Sequence, residues 1–187
     1  MTRTLLLAAV LVAASLSTGC ALTAPNYSPS LENVQKIKDQ NIQPTQVVPF
    51  TSEPGKGNAN PISLRGSKMS SPYGGSYANY LTEALKHELT LANKISPNSQ
   101  VQVSGALRKN DISATGASKA SGDLEARFVV KRNGAVAYDQ VKTIHDEWDS
   151  SFVGAVAIPR AVDRYPVMVQ KLLAALFADP EFLGALK

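Results

Sequence analysis

His145, Asp146 and Glu147 are adjacent in the chain and form its one cluster of titratable side chains suited to metal binding or acid–base chemistry. They end a segment that alternates apolar and polar residues, the pattern of a half-buried strand. Successive strand side chains point to opposite faces. His145 and Glu147 therefore share one face and Asp146 takes the other, so the three do not converge. The pattern reads as a solvated strand end, with Trp148 beside it as a core or rim anchor. Ser70, Ser71 and Ser76 raise hydrolytic chemistry, but no Gly-x-Ser-x-Gly elbow is present. Only two histidines, His87 and His145, are available as a base, and His87 falls on the polar face of a predicted helix. Gly74-Gly75-Ser76 precedes that helix, where free N–H groups can hold a phosphate. Ser76 serves equally well there as an ordinary cap, and no Walker lysine follows. No catalytic residue, metal site or cofactor is expected, and the chain is not read as an enzyme.

The remaining reactive side chain is Cys20, the one cysteine in 187 residues. A lone thiol excludes a disulfide framework and a cysteine-rich zinc site. Its surroundings give it a different chemistry. Arg3 is the only charged residue before Glu32, and Leu5 to Ala14 form an unbroken apolar run. That run has the length of a signal peptide and is too short for a spanning helix of about 20 residues. Leu16-Ser17-Thr18-Gly19-Cys20 follows, and small residues before a lone cysteine resemble the lipobox of bacterial lipoproteins. The resemblance implies cleavage before Cys20 and acylation, palmitate included, of its sulfur and amine. One acyl chain anchors only marginally, whereas several anchor stably. Ala21 rather than Asp after the cysteine implies passage to the outer membrane, with the protein on its periplasmic face.

These elements divide the chain into a signal peptide (1–19), a lipidated flexible tether (20–45) and a single domain (46–187). The tether holds Pro25, Pro29 and Pro44 among Asn, Ser and Gln. One short helix can interrupt it, capped by Ser30, with Leu31, Val34 and Ile37 at helical spacing. Val47-Val48-Pro49-Phe50 predicts a short edge strand, and 62–65 a second. Residues 51–61 and 66–76 predict loops. Ser76 caps a helix over about 76–93, whose apolar face has one exception, Glu88. Strands follow at 101–107, at 124–130 and after Asn133-Gly134, a type I′ hairpin signal. Counting back from that turn pairs Val130 with Ala137, Ala126 with Val141, Glu125 with Lys142 and Leu124 with Thr143. Phe128 then faces Asp139, a misfit that suggests a bulge nearby. A last helix over about 160–178 opens with Pro159. The fold class is α+β, a small antiparallel sheet with two main helices packed on one face, after the lipidated tether.

Residues 76–186 resemble the YajG-type family of periplasmic lipoproteins. The resemblance rests on the helix–strand–strand–turn–strand–helix order and on Phe152-Val153-Gly154-Ala155 entering the last helix. It implies a compartment and a class, but no reaction. A net charge of +4 is too weak to argue for nucleic acid. The expected function is a non-catalytic interaction or structural module of the cell envelope. It is held at the membrane by its lipid and binds an envelope protein through a helix face or sheet edge. An auxiliary role in an envelope lipid-transport system is the alternative. The expected contact residues are Val167 and Met168 on the last helix, and Met69, Pro72 and Tyr73 in the loop before the first main helix.

Overall fold

The computed structural model describes residues 21–187. Three long antiparallel strands form the spine: β6 (Val101–Ser113), β7 (Lys119–Arg132) and β8 (Ala135–Asp149). Along β7, Ala120, Leu124, Ala126, Phe128 and Val130 are buried and alternate with more exposed residues, so one face carries the core. The turn between β7 and β8 has Asn133 at φ 50° and Gly134 at φ 83°, as a type I′ hairpin requires.

The register departs from the expected one two residues beyond that turn. Arg132 faces Ala135 and Lys131 faces Val136, but Val130 faces Tyr138. Ala137 is therefore the extra residue of a bulge. Ala126 then pairs with Lys142, Glu125 with Thr143 and Leu124 with Ile144. The physical gain is Tyr138, which the bulge turns into the core beside Val130. Asp139 is moved away from Phe128 and meets Arg127 in an exposed ion pair.

Two short strands, β2 (Gln46–Val47) and β3 (Thr51–Ser52), add in parallel to the outer edge of β6, so the sheet is mixed at that margin. Pro49 lies between them and cannot donate to a ladder. A second sheet has the order β1 (Ala21–Thr23), β5 (Ser67–Ser70), β4 (Ile62–Leu64). Part of the stretch expected as a loop over 66–76 is thus a strand. The two-residue turn Arg65-Gly66, with φ 49° and 89°, makes the β4–β5 hairpin.

Helices α2 (Tyr77–Leu91) and α3 (Gly154–Phe177) cover the apolar face of the sheet, giving the expected α+β layering. Ser76 caps α2, accepting from the Asn79 amide at 3.2 Å. Helix α3 starts six residues before the expected boundary, with Pro159 and Pro166 inside it. Pro159 leaves only the carbonyl of exposed Ala155 without its helical donor, so the extra turn is tolerated. Tyr165 of α3 packs on Tyr80 and Tyr77 of α2, ring centroids 5.0 and 4.8 Å apart. The chain closes with α4 (Pro180–Ala185), capped by Asp179.

The expected flexible tether is corrected over 21–45. Beyond β1, this segment carries α1 (Leu31–Lys38) and buries Ala24, Tyr27, Val34, Ile37 and Ile42. Ser30 caps α1 as expected. The Pro25 carbonyl accepts the Tyr80 hydroxyl at 2.9 Å, and the Gln43 amide donates to Leu186 at 2.9 Å. Outside α1 the apolar residues Ala24, Tyr27 and Ile42 are too widely spaced to read as an element, yet each is buried on the domain. The folded unit therefore begins by Ala21. Residues 1–20, where the signal peptide and the lipidated Cys20 are expected, lie outside the described residues.

Candidate functional site

The titratable cluster at the end of β8 divides as alternation requires. Asp146 points inward and is only 3% exposed. Arg164 of α3 grips it in two-pronged fashion, Nε at 2.6 Å and Nη2 at 3.0 Å, and Lys171 Nζ lies at 2.5 Å. Burial works against the Asp146 carboxylate, but the hydrogen bonds from Arg164 and Lys171 outweigh it and lower its pKa. On the opposite face, His145 Nδ1 lies 2.8 Å from Asp123 on β7. That bond, more than the weaker approach to Glu147, raises the imidazole pKa. Asp123 also pairs with Lys109 at 3.2 Å. His145 is thus held by a partner across the sheet, and Asp146 by cations on the helix. Among the described residues, no three His, Cys, Asp or Glu side chains are grouped to hold a metal ion.

Trp148 lies under the Arg164 guanidinium, 5.9 Å from ring centroid to Cζ. It lines a hollow of about 460 Å³ with Asp149, Arg160, Asp163 and Val167. The turn at Gly74-Gly75-Ser76 uses its own amides. Gly75 donates to Ser71 at 3.1 Å and Ser76 to Tyr73 at 3.3 Å. A phosphate there would have to displace both bonds.

The expected partner residues divide as well. Met69 and Met168 are fully buried, which removes both from any contact surface. Met69 falls on the inward side of β5. Met168 lies against β7 at Gly122, where a Cβ would stand 2.4 Å from its Cε. The sheet and α3 meet at that glycine, so Met168 is core and not surplus surface. Val167, half-buried, borders the hollow beside Trp148. Pro72 is half-buried, and Tyr73 packs edge-on against Tyr80 at 5.2 Å. The Tyr73 hydroxyl accepts the Tyr27 amide at 3.2 Å. This loop mainly holds the 21–45 segment in place.

Two surfaces escaped the sequence reading. Among the described residues β8 pairs only with β7, leaving one edge of a 15-residue strand open. Val136 and Val141 are exposed along it. The second is the junction of β8 with α3, where Phe152 is 79% exposed and Val153 42%, with Val156 close behind. Arg65 fixes this junction from the β4–β5 turn. Its guanidinium donates to Ala114 at 2.5 Å, Gly116 at 2.8 Å, Ser151 at 2.7 Å and Phe152 at 2.7 Å. The sequence signal was present in Phe152-Val153, two large apolar residues just past a polar Asp149-Ser150-Ser151 run.

No protein-family model and no curated protein matches the chain. Among solved structures, protein XCC0632 from Xanthomonas campestris, of the family model DUF330, superposes with a TM-score of 0.56. The match covers 88% of this chain and 96% of that one at 11% identity. The two share a fold. The hypothetical protein CT253 from Chlamydia trachomatis aligns over 75% of this chain and 97% of its own, with 13% identity and a TM-score of 0.46.

Proposed function

We propose that this protein is a non-catalytic interaction module of the bacterial envelope, of the YajG-type lipoprotein kind. Lipid on Cys20 holds it at the outer membrane, facing the periplasm. Its partner is an envelope protein that adds an extended segment to the open edge of β8. The observation that carries this reading is that edge: 15 residues long, flanked by exposed Val136 and Val141, and paired on one side only among the described residues. Natural sheets normally cover or shorten such an edge, because its free N–H and C=O groups recruit another strand. The non-catalytic part is supported by the pairing of His145 and Asp146 with Asp123 and Arg164.

The test is a photo-crosslinking side chain at Val141, with Leu91 on α2 as an exposed control. An envelope protein crosslinked from position 141 and not from 91 is expected. In the isolated complex, alternate β8 amides should gain hydrogen-exchange protection, the mark of strand addition. Protection confined to α2 or α3 would refute the edge as the interface. Fatty-acid labelling that persists after Cys20→Ser would refute the anchor.

A further inference from the structure

The geometry points to a membrane-facing end of the domain, in which Phe152, Val153 and Val156 rest on the bilayer that carries the Cys20 anchor. The inference rests on the lipoprotein reading of Cys20 and adds to it an orientation and a lipid-contacting surface. β1 runs parallel to β5, with Ala21 opposite Lys68. β5 begins directly after the Arg65-Gly66 turn, so Ala21 lies at the turn end of this small sheet. Cys20 is the next residue along the chain, one peptide bond from Ala21. Arg65, in that same turn, binds the carbonyls of Ala114, Gly116, Ser151 and Phe152. The β4–β5 turn, the β6–β7 turn and the β8–α3 junction therefore meet at one end of the molecule. The point where the chain would enter the lipid and its most exposed aromatic side chain share that end. The Asn133-Gly134 hairpin lies at the far end of the long strands.

The chemistry fits a lipid surface. Phe152, Val153, Ala155 and Val156 give an apolar tip on the exposed start of a helix. Lys68 is exposed beside Ala21, placed to meet anionic headgroups. Arg65 supplies stiffness: a residue at φ 49° with four carbonyl acceptors does not let the junction fold back. With 21–45 packed on the domain, no long linker lets the domain drift away from the membrane.

The full chain, processed and acylated in a bacterial envelope, is purified and reconstituted in phosphatidylethanolamine–phosphatidylglycerol vesicles with brominated acyl chains. In a Trp148→Phe background, the indole introduced by Phe152→Trp is compared with that of Val136→Trp at the hairpin end. The position-152 fluorescence should shift to the blue and fall at least twofold with brominated lipid, while position 136 stays unchanged. Equal or absent quenching at the two positions would overturn the inference. Where the Trp148 background fails to fold, a photo-crosslinking phenylalanine at position 152 in the otherwise unaltered chain should give lipid adducts. Adducts to protein alone would overturn it. Fatty-acid labelling of the same preparations reports the anchor separately. If Cys20 carries no label, the lipoprotein reading fails. The chain from Cys20 onward is then coupled through that single thiol to a maleimide headgroup lipid, and the same quenching criterion decides the tip.

Discussion

The hydroxyl of Tyr27 donates to Oε1 of Glu88, 61 positions away. Glu88 is fully buried on the apolar face of α2, and the same oxygen accepts the Ser30 amide at 3.0 Å and Asn33 Nδ2 at 3.4 Å. A carboxylate that interrupts an amphipathic face is thus the clasp that holds residues 27–33 to the domain. Burial raises its pKa against the opposing pull of these donors.

Removing one side of this clasp tests it. Tyr27→Phe should cost about 2 kcal/mol, a hydrogen bond to an ionisable acceptor. Glu88→Leu should cost more, since it strands several buried donors at once. Urea unfolding reads the magnitudes. Hydrogen exchange should show α1 opening before β6–β8, because the 21–45 segment is the outermost layer. Unchanged exchange in α1 would refute the clasp.

Asp146 ties β8 to α3 through Arg164 and Lys171. Asp146→Asn removes the charge while keeping the shape. The loss should be about 2 kcal/mol, below the 3–5 typical of a fully buried pair, because both cations can turn to water. Thermal unfolding measures it. An unaltered melting temperature would show that the pair contributes nothing.

Gly105 and Gly134 are required for different reasons. A Cβ at Gly105 would stand 2.0 Å from the Arg127 carbonyl and 2.6 Å from the Phe50 ring. A ladder carbonyl cannot retreat, so Gly105→Ala should cost about 3 kcal/mol. Gly134 has open space around it but a φ of 83°, so Gly134→Val should cost about 1–3 kcal/mol through backbone strain alone. Gly55→Ala, with nothing within 4 Å, is the neutral control.

Acid should weaken the junction of β8 with α4. Asp179 Oδ2 accepts the Tyr138 hydroxyl at 2.7 Å and Lys142 Nζ at 2.6 Å, while Oδ1 caps the Glu181 amide at 2.8 Å. Burial alone would raise the Asp179 pKa. These three donors overcome it and lower the pKa to about 2. A lowered folded-state pKa stabilises above the unfolded value and is lost as pH falls through the folded one. About 2 kcal/mol should therefore be present above pH 4 and fade toward pH 2. Asp179→Asn should remove that pH dependence. Parallel stability–pH curves for the two proteins would refute the assignment.

Local chemistry made much of this protein legible without a structure. The helix caps at Ser30 and Ser76 and the Asn133-Gly134 turn each depend on a few adjacent residues. The alternation in β7 and the divergence of His145 from Asp146 follow from strand geometry alone. Pairings distant in sequence were not legible. Whether Ala137 bulges depends on Tyr138 finding a place beside Val130. Whether Met168 is surface or core depends on Gly122, 46 positions earlier. Apart from the short helix at Leu31, Val34 and Ile37, the segment over 21–45 looked like free chain because its other apolar residues follow no period. They match slots on α2, α3 and the small sheet, which exist only once the domain has folded. The same holds for the apolar tip: Phe152 reads only as part of the approach to the last helix until Arg65, from a distant turn, fixes that junction at the exposed end of the fold.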